Sequence, residues 1–300
     1  MNILVSGSTG FIGSAIIRSI EEAGLYAVRL VRRTPKKGEP VVRWDPDAGE
    51  IDSSGVGGVD AVVHLAGENI AEGRWTAEKK ERILGSRTRG TRLLARTVAE
   101  LPDPPKVFVC ASAVGFYGNR GEEILDENSA SGEGFLAGVC RKWEAACQPA
   151  ADKGIRVVNT RFGVVLAAHG GVLPRVIPMF RSGLAGRLGS GKQYMSWVAL
   201  EDVVGAIHHA IKTESLQGPV NVVSPNPVRN AEFTQAMAQA VGKKAPFAVP
   251  AFTLRLSMGE AADDIALASI RAIPRKLLET GYQFKYEKLE DALRDMVLVA

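Results

Sequence analysis

Three glycines at three-residue spacing, Gly7, Gly10 and Gly13, follow the apolar run Ile3-Leu4-Val5 and precede a helix-periodic segment. A strand that turns over glycines into a helix offers the helix's unsatisfied amides, and the positive end of its dipole, to a phosphate. Gly7 permits the tight turn, Gly10 lets the backbone approach a pyrophosphate, and Gly13 lets the helix pack close on the strand. Read as a dinucleotide cradle, the stretch comprises Gly7, Thr9, Gly10, Phe11, Ile12 and Gly13; the plain alternative is a glycine-bearing turn. A second run, Val28-Arg-Leu-Val-Arg32-Arg33, ends where an adenosine ribose would lie. An NAD-selective site places a carboxylate there for the 2′-hydroxyl, and none is present. Arg32 and Arg33 offer planar donors suited to a 2′-phosphate, so the expected cofactor is NADP(H); two solvated arginines are the alternative. Cys110, Cys140 and Cys147 include no Cys-x-x-Cys, and the four histidines have no ligand spacing, so no metal site is expected.

The elements that must position these groups follow from periodicity. Phe11 to Ala23 reads as a helix stopped by Gly24, and Ala27 to Val31 as the second strand. A short strand is expected near Val41 to Trp44, and a buried one at Asp60 to Leu65. A helix from about Thr76 to Leu101 is stopped by the prolines at 102, 104 and 105. Strands at Val107 to Ala111 and Ile155 to Thr160 flank one helix expected over Gly134 to Lys153. Continuous apolar strands alternating with helices imply an α/β fold, a Rossmann-type doubly wound parallel sheet with ligands at the strands' C-terminal ends. After about residue 165 the segments shorten and glycines and prolines punctuate them. The expected division is a dinucleotide-binding domain over 1–165 and a smaller C-terminal α/β substrate lobe over 166–300. Within it, about 200–223 return to the main sheet, and a helical domain fills about 248–298; helices are expected near Asn230 to Val241 and Phe252 to Met258, and from Ala261 to the C-terminus.

The 300 residues are 46% hydrophobic and 23% charged, with a formal net charge of +4. Positive charges are scattered without interleaved aromatics, which argues against a nucleic-acid surface. No apolar run approaches a membrane span, and the first strand begins at once, so a cytoplasmic location is expected. The expected partner is a small molecule, and the chain a monomer or homodimer.

Gly7-Ser-Thr-Gly-Phe-Ile-Gly13, His64-Leu-Ala-Gly67 and Ser112-Ala-Val-Gly-Phe-Tyr-Gly118 stand at three successive strand ends. In this arrangement the chain resembles the extended short-chain dehydrogenase/reductases, the superfamily of nucleotide-sugar epimerases and dehydratases. Leu65-Ala-Gly-Glu-Asn-Ile70, Trp143-Glu144, Arg161-Phe-Gly-Val-Val-Leu166, Gly189-Ser-Gly191 with Trp197, and Pro274-Arg-Lys-Leu-Leu narrow it. It is similar to the SulA-like "epimerase family" subgroup, with its C-terminal domain of unknown function. That resemblance implies a bound nicotinamide dinucleotide and contacts to it from Leu65, Ala66 and Arg87; it supplies no substrate, and the small-molecule substrate expected here is nucleotide-linked or not. Gly67 belongs to the same strand end.

The superfamily's acid–base pair, a tyrosine with a lysine one helical turn later, is absent. No Tyr-x-x-x-Lys occurs anywhere, and counting back from Glu144 puts Leu136 and Cys140 at those positions. Replacement candidates are Ser112 and Tyr117, placed near the nicotinamide end by their strand position. Tyr117 may equally be read as packing, and Ser112 as a cofactor contact. Glu68 and Asn69 follow the third strand's end and reach toward the same cleft; Glu68 reads as a loop or ribose contact, with a base as the alternative. Arg161 closes the fifth strand, where it meets cofactor or substrate or else forms a buried ion pair. Asp202 reads as a dipole or capping carboxylate near a helix N-terminus. The chain is therefore expected to be an NADP(H)-binding, epimerase-like oxidoreductase with a non-standard site; a catalytically silent cofactor sensor is the alternative.

Overall fold

The structure is a computed structural model and describes residues 1–36 and 38–299. Its main sheet is built from β1 (Asn2–Ser6), β2 (Tyr26–Val31), β3 (Val41–Asp45), β4 (Glu50–Ile51), β5 (Ala61–His64), β6 (Val107–Ala113), β7 (Arg156–Phe162) and β8 (Gly218–Val222). The spatial order is β8-β7-β6-β5-β1-β2-β3-β4. All neighbours are parallel except β3 and β4. Ile3, Leu4, Val5, Val62, Val63, Phe108 and Val109 are wholly buried, as strands covered on both faces require. The strand order reverses between β1 and β5, and such a switch point leaves a crevice at the strands' C-terminal ends. The doubly wound sheet expected from the sequence is thus present.

Three helices shape that crevice: α1 (Phe11–Glu22), α2 (Ala77–Ala99) and α3 (Phe135–Ala145). The single helix expected over Gly134 to Lys153 is broken, with α3 ending at Ala145 and a short helix following at Gln148–Asp152. Pro149 supplies the reason. In a continuous helix its ring would collide with the carbonyl of residue 145, so it sits in the first turn of a new one.

Beyond β7 the chain builds a second core from Leu166, Leu173, Trp197, Phe233, Met237 and Leu293. Helix Leu200–Lys212 and β8 then return to the main sheet. The helical segment expected from Ala261 comprises a π-helical stretch (Ala262–Leu267) and helices at Arg275–Glu279 and Leu289–Leu298, with a two-residue strand (Arg271–Ala272) among them. Pro274 separates the strand from the helix behind it. Asp202 stands in the first turn of the helix Leu200–Lys212, where a dipole carboxylate belongs, and has tertiary partners besides. It is 1% exposed and accepts the amides of Lys285 (2.7 Å) and Tyr286 (3.0 Å) and the Tyr282 hydroxyl (3.2 Å). It ties the C-terminal segment to the sheet's outer helix. Among the described residues no helix is long and apolar enough to cross a membrane.

Candidate functional site

The glycine turn is set by backbone contact. Gly7 has φ +67, and a Cβ there would lie 2.9 Å from the Ala66 amide nitrogen. A Cβ on Gly13 would lie 2.0 Å from the Gly7 carbonyl oxygen. The cradle therefore closes only with hydrogen at both positions. Helix α1 opens on Gly10 with no capping side chain, so its first-turn amides are free to meet an anion.

A cavity of about 650 Å³ lies over this turn. Gly7, Gly10, Phe11, Ile12, Gly13, Leu65, Gly67, Glu68, Arg87 and Ser112 line it together with Trp143, Arg175 and Ile265. Of the remaining expected residues, Thr9 is exposed on a neighbouring groove beside α1, and Ala66 backs the turn through its amide. Arg32 and Arg33 stand exposed past the end of β2. Arg32 comes within 3.8 Å of Asp47, whereas Arg33 is bound to Glu39 at 2.7 Å. The freer of the two guanidiniums is therefore Arg32.

Arg87 projects from α2 and is held by neutral groups. Its Nη1 donates to the carbonyls of Glu68 (2.9 Å) and Ile83 (3.1 Å), and its guanidinium lies 4.8 Å over the Trp143 ring. Among the described residues no carboxylate lies within ion-pair distance of it, and burial lowers its pKa. A desolvated cation on a cavity wall without its own counter-ion leaves room for an external one. Glu68, the cavity's carboxylate, is occupied: Lys79 binds it at 2.7 Å and pulls its pKa down. It is a fixed part of the wall. The Trp143 indole nitrogen is buried and has no partner among the described residues.

At the other end, Ser112 is the cavity's only hydroxyl among the described lining residues. It donates to Glu144 Oε1 at 2.7 Å. Arg161 clamps the same carboxylate through Nε (2.8 Å) and Nη2 (2.8 Å). Arg161 is 3% exposed and does not line the cavity, so of its two readings the structure gives the buried ion pair. Tyr117 requires correction as a cleft residue. It is wholly buried; its hydroxyl bonds Asn221 (2.7 Å) and the Asp126 carbonyl (2.9 Å) and accepts from Arg161 (3.0 Å). Burial pushes its pKa up to about 12. The short 3₁₀ turn at Val114–Tyr117 rotates it into the core, away from the cavity. Cys140 is likewise inert: its thiol faces the Ala113 carbonyl at 3.7 Å, and burial raises it to about 11.

Sequence reasoning gave no role to Arg175, Ile265 or the Ser6–His64 pair. Arg175 and Ile265 carry no local signal. Ser6 and His64 do, since both end strands that flank the switch point. Among the described residues no cluster of His, Cys, Asp or Glu could hold a metal.

Comparison with known proteins gives consistent matches along the whole chain. Residues 3–223 match the NAD dependent epimerase/dehydratase family, and residues 249–296 match a domain of unknown function, DUF1731. An epimerase family protein of Mycobacterium tuberculosis is 44% identical over 291 residues, 97% of this chain and 96% of that one. The crystal structure of human epimerase family protein SDR39U1 with NADPH superposes with a TM-score of 0.91 at 34% identity, covering 99% of both chains. A nucleoside-diphosphate sugar epimerase from Corynebacterium glutamicum gives 0.82 at 36% identity, covering 99% of this chain and 58% of the other.

Proposed function

The chain belongs to the NAD dependent epimerase/dehydratase family, and from that premise we propose an NADP(H)-binding, epimerase-like oxidoreductase acting on a small, nucleotide-linked substrate. One observation carries the reading: the uncapped start of α1 and the counter-ion-free Arg87 face one cavity at the sheet's switch point. A diphosphate needs both an amide cradle and a cation. Gly7, Gly10 and Gly13 would admit the pyrophosphate, and Leu65, Ala66, Gly67 and Glu68 would border the adenosine side. Arg32, with Arg33 beside it, would take the 2′-phosphate. The NADPH found in the human relative agrees with that selection.

When bound, the nicotinamide would supply the hydride donor or acceptor. Ser112 would then hold a substrate hydroxyl. As that hydroxyl gives its proton to Ser112 Oγ, Ser112 passes its own to Glu144, which Arg161 keeps in place. The test is a titration of NADPH fluorescence followed by absorbance at the reduced-nicotinamide band against carbonyl compounds and sugar nucleotides. Turnover abolished by Ser112→Ala, with NADPH affinity intact, is the expected result.

Leu136 and Cys140, where the superfamily's Tyr and Lys stand, favour a second reading. In it the protein binds NADP(H) without turnover and presents the bound state to a protein partner. Absence of any absorbance change across the panel, with a partner retained only in the presence of NADPH, would select it.

A further inference from the structure

His64 is wholly buried, does not line the cavity, and is used by neither the cradle nor the proton path. Its partners define a chain of hydrogen bonds. Ser6 Oγ accepts the amides of Leu65 (3.1 Å) and Ala66 (3.3 Å) and lies 2.6 Å from His64 Nδ1. With its lone pairs turned to two amides, Ser6 must give its proton to Nδ1. His64 is therefore the Nε2–H tautomer, and that proton goes to Thr91 Oγ1 at 2.9 Å. Thr91 stands on α2 one helical turn beyond Arg87.

We infer that Ser6, His64 and Thr91 are positioning residues for the dinucleotide, locking the Leu65–Glu68 wall and the helix that carries Arg87 to the end of β1. This rests on the NADP(H) reading above. Every link is directional. The Ser6 end fixes the backbone that Gly7 packs against, and the Thr91 end fixes the helical turn from which Arg87 reaches the Glu68 carbonyl. None of the three touches the ligand, so their effect is on affinity through geometry.

Thr91→Val keeps the shape and removes the acceptor, and Thr91→Ser restores it. NADPH affinity, measured at a temperature where each variant is fully folded, is expected to fall five- to tenfold in the valine variant and return to within twofold in the serine variant. An unchanged affinity in Thr91→Val, whatever its melting temperature, overturns the inference. If that variant does not fold, His64→Gln, which keeps a donor for Thr91 but offers Ser6 no acceptor at Nδ1, carries the same expectation. Amide exchange in the unliganded wild type needs no variant. Ala66, whose amide meets Ser6 Oγ and no other acceptor among the described residues, is expected to exchange as slowly as β5, and a loop-like rate would overturn the inference. Wild-type protein that fails to bind NADPH at all would instead sink the cofactor reading, so the two failures are distinct.

Discussion

Gly13→Ala tests the cradle most directly. The added Cβ would lie 2.0 Å from the Gly7 oxygen, 2.8 Å from the Gly7 carbonyl carbon and 3.0 Å from Ser8 Cα. All three are backbone atoms of the turn. The turn cannot retreat, because Gly7 is wedged against Leu65 and Ala66 and its oxygen accepts the Gly10 amide at 2.9 Å. Helix α1 must therefore lift by about 1.4 Å to restore ordinary contact. Overpacking of this kind costs about 1–3 kcal/mol. In a chain of this size that lowers the melting temperature by about 2–5 °C. The same displacement carries the first-turn amides away from the phosphates, and NADPH affinity should fall at least tenfold, about 1.4 kcal/mol. Gly10→Ala is the control. Its φ of −76 suits any residue, and its Cβ would meet only the Gly7 oxygen, at 3.2 Å. It should keep the melting temperature within about 2 °C yet still weaken NADPH, because Gly10 lines the cavity. Fluorescence titration and thermal unfolding read both effects. A Gly13→Ala protein that binds NADPH like wild type would refute the reasoning.

Three further outcomes follow from the geometry. Arg32→Ala should cost NADPH about 10- to 100-fold in affinity, the range of a charge-assisted contact, while leaving NADH unchanged; parallel titrations with the two cofactors check it. Glu144→Ala strands Arg161, which is 3% exposed, and should destabilise the fold by about 3–5 kcal/mol in denaturant titrations. His64 has a folded pKa depressed by burial from 6.5 to about 3. The unfolded chain therefore binds a proton that the native protein refuses. This group's contribution is intact above pH 6.5 and is lost progressively as pH falls toward 3, at most about 1.4 kcal/mol per pH unit. Wild type should lose about 1.6 kcal/mol more than His64→Gln between pH 6.5 and pH 5, read from urea midpoints at the two pH values; parallel slopes would contradict the assignment.

The sheet and the cradle were legible in the sequence because both are written locally. A buried parallel strand is a continuous apolar run, and a turn with φ +67 at Gly7 calls for glycine wherever it occurs. The break at Pro149 needs only the ring and the carbonyl four residues back, a local signal that the expectation of one helix over Gly134 to Lys153 passed over. Chemistry was less readable. Tyr117 and Ser112 lie five residues apart near one strand end, yet a single 3₁₀ turn sends one to the core and leaves the other at the cavity. Arg161 finds Glu144 on α3, and Asp202 finds amides 83 and 84 residues away. Such partners are set by strand register and by how distant segments pack. Burying an unpaired charge costs more than almost any local preference can offset, so tertiary structure decides where each charge goes. By itself the sequence determined the sheet and the glycine turn that would cradle a phosphate. Only the folded chain decided which polar groups face the cavity, because their surroundings come from residues far away along it.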